Sequence, residues 1–400
     1  MAAMLINPAL EALTDYPFDR LRALLDPIAP PAALKPLVLS VGEPRHAPPA
    51  MVREIIDREH AAWNRYPPVD GTEAVRLAVS QWLTTRFQLP HGFIDPARHI
   101  LPVAGTREAL FLIASVCVPP AVSGAPPAVL MPNPFYQVYL AAAALHGAEP
   151  VFLPATREIG FLPDLTSLPE ALLARTAMLY LCSPANPQGA AADPAYLEAA
   201  VRLARRHGFT LVVDECYAEI YDVAPPAGVL AACAALGEGL ENVLAFHSLS
   251  KRSSVPGLRS GFVAGDPRLI AAFRRLRSFA GATLPLPVLA ASTALWQDEA
   301  HVEENRRLYR AKFDLAERLL GGRFAFYRPA GGFFLWLDVE DGETAARTLW
   351  QQAALRVLPG AYLARSDATG DNPGRRYIRM ALIDDLAATE DALRRLKDAL

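Results

Sequence analysis

The sequence predicts an α/β protein with a mostly parallel central sheet, helices on both faces of that sheet, and a second, smaller α+β domain. Two observations support this prediction. Short apolar runs alternate with segments of helical period from about residue 50 to about residue 290, and this alternation is typical of parallel sheets wrapped by helices. After residue 300 the pattern changes to a long polar helix followed by strands and another helix. A chain of 400 residues is long enough for two domains.

Residues 1–47 are expected to form an extended arm and part of the small domain. The arm is rich in Ala and Pro, with one short helix predicted from Pro17 to Leu25. Four residues interrupt the N-terminus before an apolar signal core forms, and no uncharged run reaches the length of a membrane span. The interrupting residues are Asn7, Pro8, Glu11 and Asp15. We therefore expect a cytoplasmic protein.

The large domain is expected to span residues 48–295 and the small domain residues 296–400. Strands of the large domain are predicted at 99–105, 128–134, 176–184, 209–215, 242–248 and 261–265. One of its helices is predicted at 193–208, because three basic residues and Gly208 end the periodic pattern there. The small domain is predicted to contain a helix at 301–322 and strands at 331–339 and 376–382.

The composition favours an enzyme that acts on small molecules. With 52% hydrophobic residues, 20% charged residues and a formal net charge of -3, the chain offers no polycationic face for nucleic acid or membrane. The four cysteines include no CxxC pair, and no His or Cys cluster has the spacing of metal ligands, so neither a disulfide framework nor a zinc site is expected.

The chain contains four lysines, so lysine chemistry has four candidates. Lys35 lies in the arm, Lys397 lies near the C-terminus, and Lys312 is expected on a polar helix face. Lys251 follows the predicted strand 242–248. It is therefore the lysine predicted at the end of a strand, where open α/β sheets bind their ligands.

Other polar groups follow strands of the same predicted sheet. They are Thr106, Asn186, Asp214, Tyr217 and Ser248. Each has an ordinary structural interpretation when taken alone: Asp214 as a helix cap, Asn186 as part of a turn, Thr106 as a helix start. Because parallel strands place their carboxyl ends on one edge, we expect these groups to converge on Lys251.

This set of groups matches the needs of pyridoxal 5'-phosphate (PLP). An activated lysine forms a Schiff base with the aldehyde of PLP. A carboxylate such as Asp214 would keep the ring nitrogen protonated, and Asn186 and Tyr217 would donate to the phenolate oxygen. Ser248, Thr106 and Arg259 are candidates for the phosphate.

Several motifs resemble the class I and II aminotransferase family, which are PLP enzymes of fold type I. SLSKRSSVPGLRSG (248–261) is similar to the lysine signature of the family, SPANPQG (183–189) to its NPxG turn, and DECY (214–217) to its ring-nitrogen motif. Further similar segments extend over nearly the whole chain. They are SVGEP (40–44), RYPPVDGTEAVRLAV (65–79), AGTREAL (104–110), PFYQVY (134–139), PAGGFFLW (329–336) and RYIRMAL (376–382).

The resemblance implies a role for each matching residue. Lys251 would hold the internal aldimine and move the proton, Asp214 would pair with the pyridinium, and Asn186 and Tyr217 would contact the 3'-oxygen. The phosphate would be bound by Ser248, Arg259, Thr106 and Arg107. The ring would stack on Tyr136. Tyr66 would reach the phosphate of a neighbouring subunit, which implies a homodimer with shared active sites.

The substrate side is implied in the same way. Arg379 would bind the α-carboxylate, because a planar guanidinium matches that anion; Asn186 would also line this position, and Gly42 would let the N-terminal segment close over the substrate. Two positions depart from the family pattern. Ser260 replaces an apolar residue, and Tyr136 stands where classical aspartate aminotransferases carry Trp, which argues against close kinship with that branch.

Segments 39–49 and 247–266 most resemble bacterial succinyldiaminopimelate transaminases of lysine biosynthesis. This resemblance implies glutamate and 2-oxoglutarate as one substrate pair and an N-succinylated amino-oxo-dicarboxylate as acceptor. Arg45, Arg252 and His247 are candidates for reading its distal group. The alternatives are an aminotransferase specific for aspartate, alanine or aromatic acids, a PLP carbon–sulfur lyase, and a non-catalytic regulatory module fused to a DNA-binding segment, for which the arm is expected to be too short.

Overall fold

The computed structural model describes residues 6–13, 16–120 and 124–400. Asp15 and residues 1–5 of the predicted arm lie outside the described residues. The strands are β1 (Leu37–Val38), β2 (Ile100–Val103), β3 (Ala128–Asn133), β4 (Glu149–Pro154), β5 (Thr176–Cys182), β6 (Thr210–Asp214), β7 (Val243–Ser248), β8 (Gly261–Gly265), β9 (Phe334–Asp338), β10 (Leu355–Arg356), β11 (Leu358–Pro359) and β12 (Tyr377–Ala381).

Seven of these strands form the central sheet, in the order β2-β8-β7-β6-β5-β3-β4. Neighbouring strands from β7 to β4 pair in parallel, whereas β8 pairs antiparallel with both β7 and β2. Only β8 therefore opposes the common direction, and the carboxyl ends of the other six strands lie on one edge. The predicted mostly parallel sheet is confirmed, and each of the six predicted strand segments contains a strand.

The edge strand β4 was not predicted. It contains a proline near its start, Pro150, and another at its end, Pro154, and only Leu153 is buried. Proline is tolerated at sheet edges because an edge strand has an unpaired side. This strand consequently lacks the buried apolar run by which the other strands of the sheet were recognised.

The helices follow the strands along the chain. They are α1 (Pro17–Leu25), α2 (Ala50–Arg58), α3 (Glu73–Arg86), α4 (Thr106–Leu112), α5 (Ala114–Cys117), α6 (Gln137–Leu145), α7 (Glu170–Leu173), α8 (Pro194–His207), α9 (Val229–Leu236), α10 (Leu249–Arg252), α11 (Pro267–Arg277), α12 (Leu286–Gln297), α13 (Ala300–Leu320), α14 (Gly342–Ala353) and α15 (Leu386–Ala399). Short 3₁₀ turns occur at Pro8–Leu13, His60–Asn64, Arg157–Ile159, Pro256–Leu258 and Gly360–Leu363.

Each face of the central sheet packs on its own hydrophobic core. Leu179 and Leu211 face the core formed with α3, α8, α9 and α12. Their sequence neighbours Met178 and Val212 face the opposite core, formed with α4, α6 and α11. Since successive residues of a strand point to opposite faces, a sheet buried on both sides requires such continuous apolar runs.

A further core unites the N-terminal and C-terminal parts of the chain. Side chains of α1, β1, α13, α14 and α15 pack there against the antiparallel sheet β11-β12-β9. The predicted strands at 331–339 and 376–382 appear as β9 and β12, and the predicted long helix as α13. The domain boundaries after residues 47 and 295 stay predictions. Among the described residues, no helix is both long and apolar enough to span a bilayer.

Candidate active site

A cavity of about 390 Å³ lies at the carboxyl edge of the central sheet. Nine of the predicted site residues line it: Gly42, Thr106, Arg107, Tyr136, Asn186, Asp214, Tyr217, Lys251 and Arg379. Its remaining wall includes Phe135, Cys182, Cys216, Phe334 and Arg365, together with Leu13, Tyr16 and Phe18 near the N-terminus. The expected convergence of strand ends is therefore present, and it includes residues from both ends of the chain.

Lys251 lies in the short helix α10, which follows β7. Its Nζ donates a hydrogen bond to the carbonyl oxygen of Gly42 at 2.5 Å. Burial lowers the pKa of Lys251 to about 8, because desolvation disfavours the charged amine. Near neutral pH, an amine with this pKa is neutral, and hence nucleophilic, in a far larger fraction of molecules than an ordinary lysine is.

Asp214 is the last residue of β6 and its side chain is buried. One carboxylate oxygen accepts a hydrogen bond from the hydroxyl of Tyr139 at 2.9 Å, and the other accepts one from the amide of Cys216 at 3.2 Å. Burial raises the pKa of Asp214, while the two hydrogen bonds oppose that rise. A cationic partner in the cavity would favour the ionised carboxylate further.

Arg379 projects from β12 and is 4% exposed. Its guanidinium donates to the Asn186 side-chain oxygen at 3.0 Å and to the Ser40 carbonyl oxygen at 2.6 Å. It also lies 4.4 Å from the centre of the Phe334 ring. Burial lowers the pKa of Arg379 to about 10. The guanidinium remains a cation at neutral pH, with its planar fork at the cavity wall.

Residues at the start of α4 also line the cavity. The Thr106 hydroxyl is 3.2 Å from the thiol of Cys216, and Arg107 donates to the Tyr136 hydroxyl at 2.9 Å. The guanidinium of Arg259 packs directly against Gly105, where an added Cβ would lie 2.1 Å from its Nη2. A hydroxyl and an arginine thus line the cavity here, and a second arginine lies against the preceding Gly105; such groups suit a phosphate.

Three predicted residues do not line the cavity. Ser248 is buried and caps α10, where its hydroxyl accepts from the amide of Ser250 at 3.1 Å. Arg259 lies behind Gly105, as described above. Tyr66 is fully exposed. Their predicted cofactor contacts stay predictions.

The sequence-based expectation for Lys312 was wrong. Lys312 does not lie on a polar helix face: it is 2% exposed, and its Nζ donates to the His46 ring and to the Leu382 carbonyl oxygen. Burial lowers its pKa to about 8. Lys312 does not line the cavity. Position rather than pKa therefore distinguishes Lys251 from Lys312.

Several residues of the site were missed in the sequence, among them Tyr139, Cys216 and Arg365. Tyr139 lies three residues after Tyr136 on the first turns of α6, and its hydroxyl reaches Asp214. Cys216 lies between Asp214 and Tyr217 in the DECY segment, and it lines the cavity. A tyrosine in a helix that is otherwise almost entirely aliphatic was the available signal for Tyr139, because a buried phenol needs a hydrogen-bond partner.

These residues fit PLP. The cofactor supplies an aldehyde that bonds to amines and a protonated ring that accepts electrons. The cavity offers Lys251 to the aldehyde, the buried carboxylate of Asp214 to the ring nitrogen, and Asn186 and Tyr217 to the phenolate oxygen. The group around Thr106 suits the phosphate. The fold and this set of groups define a PLP-dependent enzyme of fold type I.

Comparison with known proteins identifies the family within this class of enzymes. The family described as aminotransferase class I and II matches residues 35–385. A 4-dedimethylamino-4-oxo-anhydrotetracycline transaminase, OxyQ, from Streptomyces rimosus is 33% identical over 93% of this chain and 96% of the relative. An LL-diaminopimelate aminotransferase from Dehalococcoides mccartyi is 30% identical over 81% of this chain and 80% of the relative.

The crystal structure of another aminotransferase has a similar fold. An aminotransferase from Neisseria meningitidis is 39% identical, with a TM-score of 0.93 and coverage of 98% of this chain and 99% of that one. The chain belongs to the aminotransferase class I and II family. It is a PLP-dependent aminotransferase that takes amino acids and 2-oxo acids as substrates.

Proposed function

We propose that the enzyme transfers the amino group between glutamate and an N-succinylated 2-amino-6-oxo-dicarboxylate, that is, N-succinyl-LL-2,6-diaminopimelate:2-oxoglutarate transamination in lysine biosynthesis. It would act as a cytoplasmic homodimer. The observation that carries the proposal is Arg365, which lines the cavity in addition to Arg379 and to Arg107 of the predicted phosphate site. Arg379 suits the α-carboxylate common to all substrates, and Arg365 suits a distal carboxylate.

Arg365 is held at the cavity by its main chain. Its amide donates to the side-chain oxygen of Asn133 at 3.0 Å, and its carbonyl oxygen accepts from the side-chain nitrogen of Asn133 at 2.9 Å. Its guanidinium carbon lies 5.7 Å from the centre of the Phe135 ring. Because Asn133 ends β3, this pair of bonds fixes the Arg365 segment to the central sheet.

The three distal-group candidates suggested by the sequence lie elsewhere. Arg252 is 1% exposed and donates to the Leu295 carbonyl oxygen, and His247 is 2% exposed. Arg45 pairs with Asp384. None of the three lines the cavity. We therefore assign the distal role to Arg365 in the proposal.

The individual residues would act as follows. Lys251 would bind the cofactor covalently and carry the proton between substrate carbon and cofactor. Asp214 would hold the ring-nitrogen proton, and Arg379, with Asn186 beside it, would orient the α-carboxylate. The pyridine ring would stack on Tyr136, and Gly42 would line the closed substrate site. The LL-diaminopimelate aminotransferase relative supports a diaminopimelate skeleton, but not its succinylation.

The experiment is a substrate panel with glutamate as donor. We expect N-succinyl-2-amino-6-oxopimelate to give a kcat/KM at least tenfold above pyruvate or oxaloacetate. Equal turnover of the three acceptors would contradict the succinylated substrate. Release of pyruvate and ammonia without an acceptor would indicate lyase chemistry instead.

Matched arginine variants test how the two carboxylates are divided. Arg379→Lys is expected to raise KM for every donor and acceptor, because all share the α-carboxylate. Arg365→Met is expected to raise KM about tenfold or more for dicarboxylic substrates, as loss of a charged hydrogen bond implies, and to leave alanine and pyruvate unaffected. An equal defect with monocarboxylic substrates would remove Arg365 from the distal role.

A second candidate function is an aminotransferase of another specificity. The relative from Streptomyces rimosus, which is named for a tetracycline precursor, is 33% identical over nearly the whole chain. The aromatic side chains of Tyr16, Phe18 and Phe334 in the cavity wall suit a bulky, less polar acceptor. The same panel, extended by a polycyclic ketone, distinguishes the two candidates.

Exposed apolar side chains support the proposed homodimer. Tyr66, Trp63 and Phe279 are all large and more than half exposed. Where such side chains form one patch, their burial against another chain is favourable. In the proposal, Tyr66 of each subunit contributes to the phosphate site of its partner.

A further inference from the structure

The short helix α10 carries Lys251 and ends one residue later. Carbonyl groups in the last turn of a helix lack partners within that helix. Here they are satisfied by a distant side chain: the Asn305 amide donates to the carbonyl oxygens of Lys251, at 3.1 Å, and Arg252, at 3.2 Å. Asn305 lies in α13, 54 residues further along the chain.

A chain of hydrogen bonds fixes the orientation of the Asn305 amide. The Asn305 side-chain oxygen is 2.7 Å from Nδ1 of His46, and Nε2 of His46 is 2.7 Å from Nζ of Lys312. Because the Asn305 nitrogen donates to two carbonyl oxygens, its side-chain oxygen faces His46, so Nδ1 must carry the proton and Nε2 can accept from the Lys312 ammonium. The Asn305 oxygen therefore accepts from Nδ1, while its amide nitrogen faces the two carbonyls. Lys312 itself is held by the Leu382 carbonyl oxygen at 3.1 Å.

Burial strengthens this arrangement. Asn305 is 6% exposed and Lys312 is 2% exposed, so little water competes for their hydrogen bonds. Burial lowers the pKa of His46, which agrees with a neutral ring that donates on one side and accepts on the other. The ring also packs on Tyr309, with 4.5 Å between ring centres.

The segment that contains His46 meets the lysine turn at other points. The His46 carbonyl oxygen accepts from the hydroxyl of Ser254 at 3.0 Å. Four residues earlier, the Gly42 carbonyl oxygen accepts from Nζ of Lys251. Segment 42–46 and helix α13 thus hold the lysine turn from two sides, and neither His46, Asn305 nor Lys312 lines the cavity.

We propose that Asn305, oriented by His46 and Lys312, is a positioning residue for Lys251. It fixes the backbone of α10 and thereby the direction in which the lysine side chain enters the cavity. A displacement of about 1 Å at a reacting group can cost about a hundredfold in rate. The inference rests on the proposed role of Lys251 as the residue that binds PLP.

The test uses two variants that keep shape but remove hydrogen bonds, Asn305→Leu and His46→Phe, and their double variant. Tyr309→Phe is the matched control, because the Tyr309 hydroxyl has no hydrogen-bond partner among the described residues and its ring is retained. Each protein is loaded with PLP. We measure the pH midpoint of its visible absorbance change, its kcat and glutamate KM, and its thermal unfolding.

We expect Asn305→Leu and His46→Phe to shift the absorbance midpoint by at least half a pH unit and to lower kcat about tenfold, with glutamate KM unchanged. Because His46 acts through Asn305, the double variant should be no worse than Asn305→Leu alone. The proposal would be overturned if the Asn305→Leu and His46→Phe variants unfolded at a lower temperature but kept the absorbance midpoint and kcat of the Tyr309→Phe control. If Asn305→Leu does not fold, His46→Phe is judged by the same criteria.

The absorbance midpoint needs no substrate, so it separates this inference from the proposed function. A wild-type protein that binds PLP at Lys251 but rejects glutamate would refute the glutamate donor and leave the midpoint test intact. PLP bound at a residue other than Lys251 would refute both.

Discussion

Tyr139 contributes to the ionisation of Asp214, the carboxylate that is proposed to pair with the cofactor ring. Burial alone raises the pKa of Asp214, and the Tyr139 hydroxyl is one of the groups that lower it. A carboxylate that takes up a proton can no longer stabilise a protonated pyridine beside it. In the proposed site, the hydroxyl of Tyr139 would therefore support the protonated state of the cofactor ring, although Tyr139 does not line the cavity itself.

We predict that Tyr139→Phe lowers kcat about tenfold and weakens PLP retention, because the pKa of Asp214 rises. Tyr180→Phe is the matched control: its ring stacks on Tyr139 at 4.5 Å and its hydroxyl donates to the Leu110 carbonyl oxygen, away from Asp214. Steady-state kinetics and PLP dissociation measure the effect. Equal losses in both variants would show that only packing had been disturbed.

The lowered pKa of Lys251 predicts a pH dependence for cofactor capture. The amine must be neutral to attack the aldehyde, and its pKa is about 8 rather than the usual 10.5. Below this pH the amine is charged, so the capture rate should rise with pH and level off above about 8. Stopped-flow absorbance on the apoprotein measures this. A rate still rising steeply above pH 10 would contradict the lowered pKa.

The sequence predicted the site residues that follow strands better than it predicted the residues that hold them in place by hydrogen bonds. Lys251, Asp214 and Asn186 were predicted because each directly follows an apolar run that reads as a strand. Tyr139 and Asn305 were missed, since each acts through a contact between distant segments, and nothing in the sequence of a helix states which strand end it faces.

The turn between β2 and α4 depends on a glycine. Gly105 has a backbone φ of +89°, a value that residues with a side chain rarely adopt. Beside it lies the Arg259 guanidinium, in the space that a Cβ would need. This turn places Thr106 and Arg107 at the cavity, so its geometry sets the predicted phosphate site.

We predict that Gly105→Ala weakens PLP binding at least tenfold, because Arg259 must move away from Thr106. Gly92→Ala is the control: Gly92 also has a positive φ, +77°, but nothing lies within 4 Å of its added Cβ. Both variants should lose some stability from backbone strain. Equilibrium PLP binding separates them; equal affinities would show that Arg259 does not form part of the phosphate site.

At the level of elements, the apolar runs predicted six strands of the central sheet correctly. The direction of β8 could not be predicted, because an apolar pentapeptide such as GFVAG fits a buried strand of either direction. The burial of Lys312 was also missed, because the composition of a helix does not show which of its faces is buried. Helix α13 is rich in charged residues, yet its inner face packs against the lysine turn and segment 42–46.

In the whole molecule, the cavity depends on elements from different cores. Arg379 comes from β12 in the core that unites the chain ends, whereas its partner Asn186 follows β5 of the central sheet. This part of the cavity wall therefore forms only when the two cores meet. In the proposed dimer, each site would also depend on the second subunit, because the fully exposed Tyr66 would complete the phosphate site of its partner.

We predict that mixed dimers restore a complete site from two defective subunits. Tyr66→Phe and Lys251→Ala are each expected to impair activity, but one site of a mixed dimer would combine an intact Lys251 with the partner's intact Tyr66. Subunits are mixed under conditions that allow exchange, and PLP affinity and turnover are measured. Activity no higher than the mean of the two parents would place Tyr66 outside the shared site.

The most direct test of the central claim is to find where PLP is bound. The PLP-loaded protein is reduced with borohydride, digested, and mapped by mass spectrometry. We predict one phosphopyridoxyl group, on Lys251, and none on Lys312, although burial gives both lysines a pKa of about 8. A group on Lys312, or on any lysine other than Lys251, would contradict the assignment of the active site.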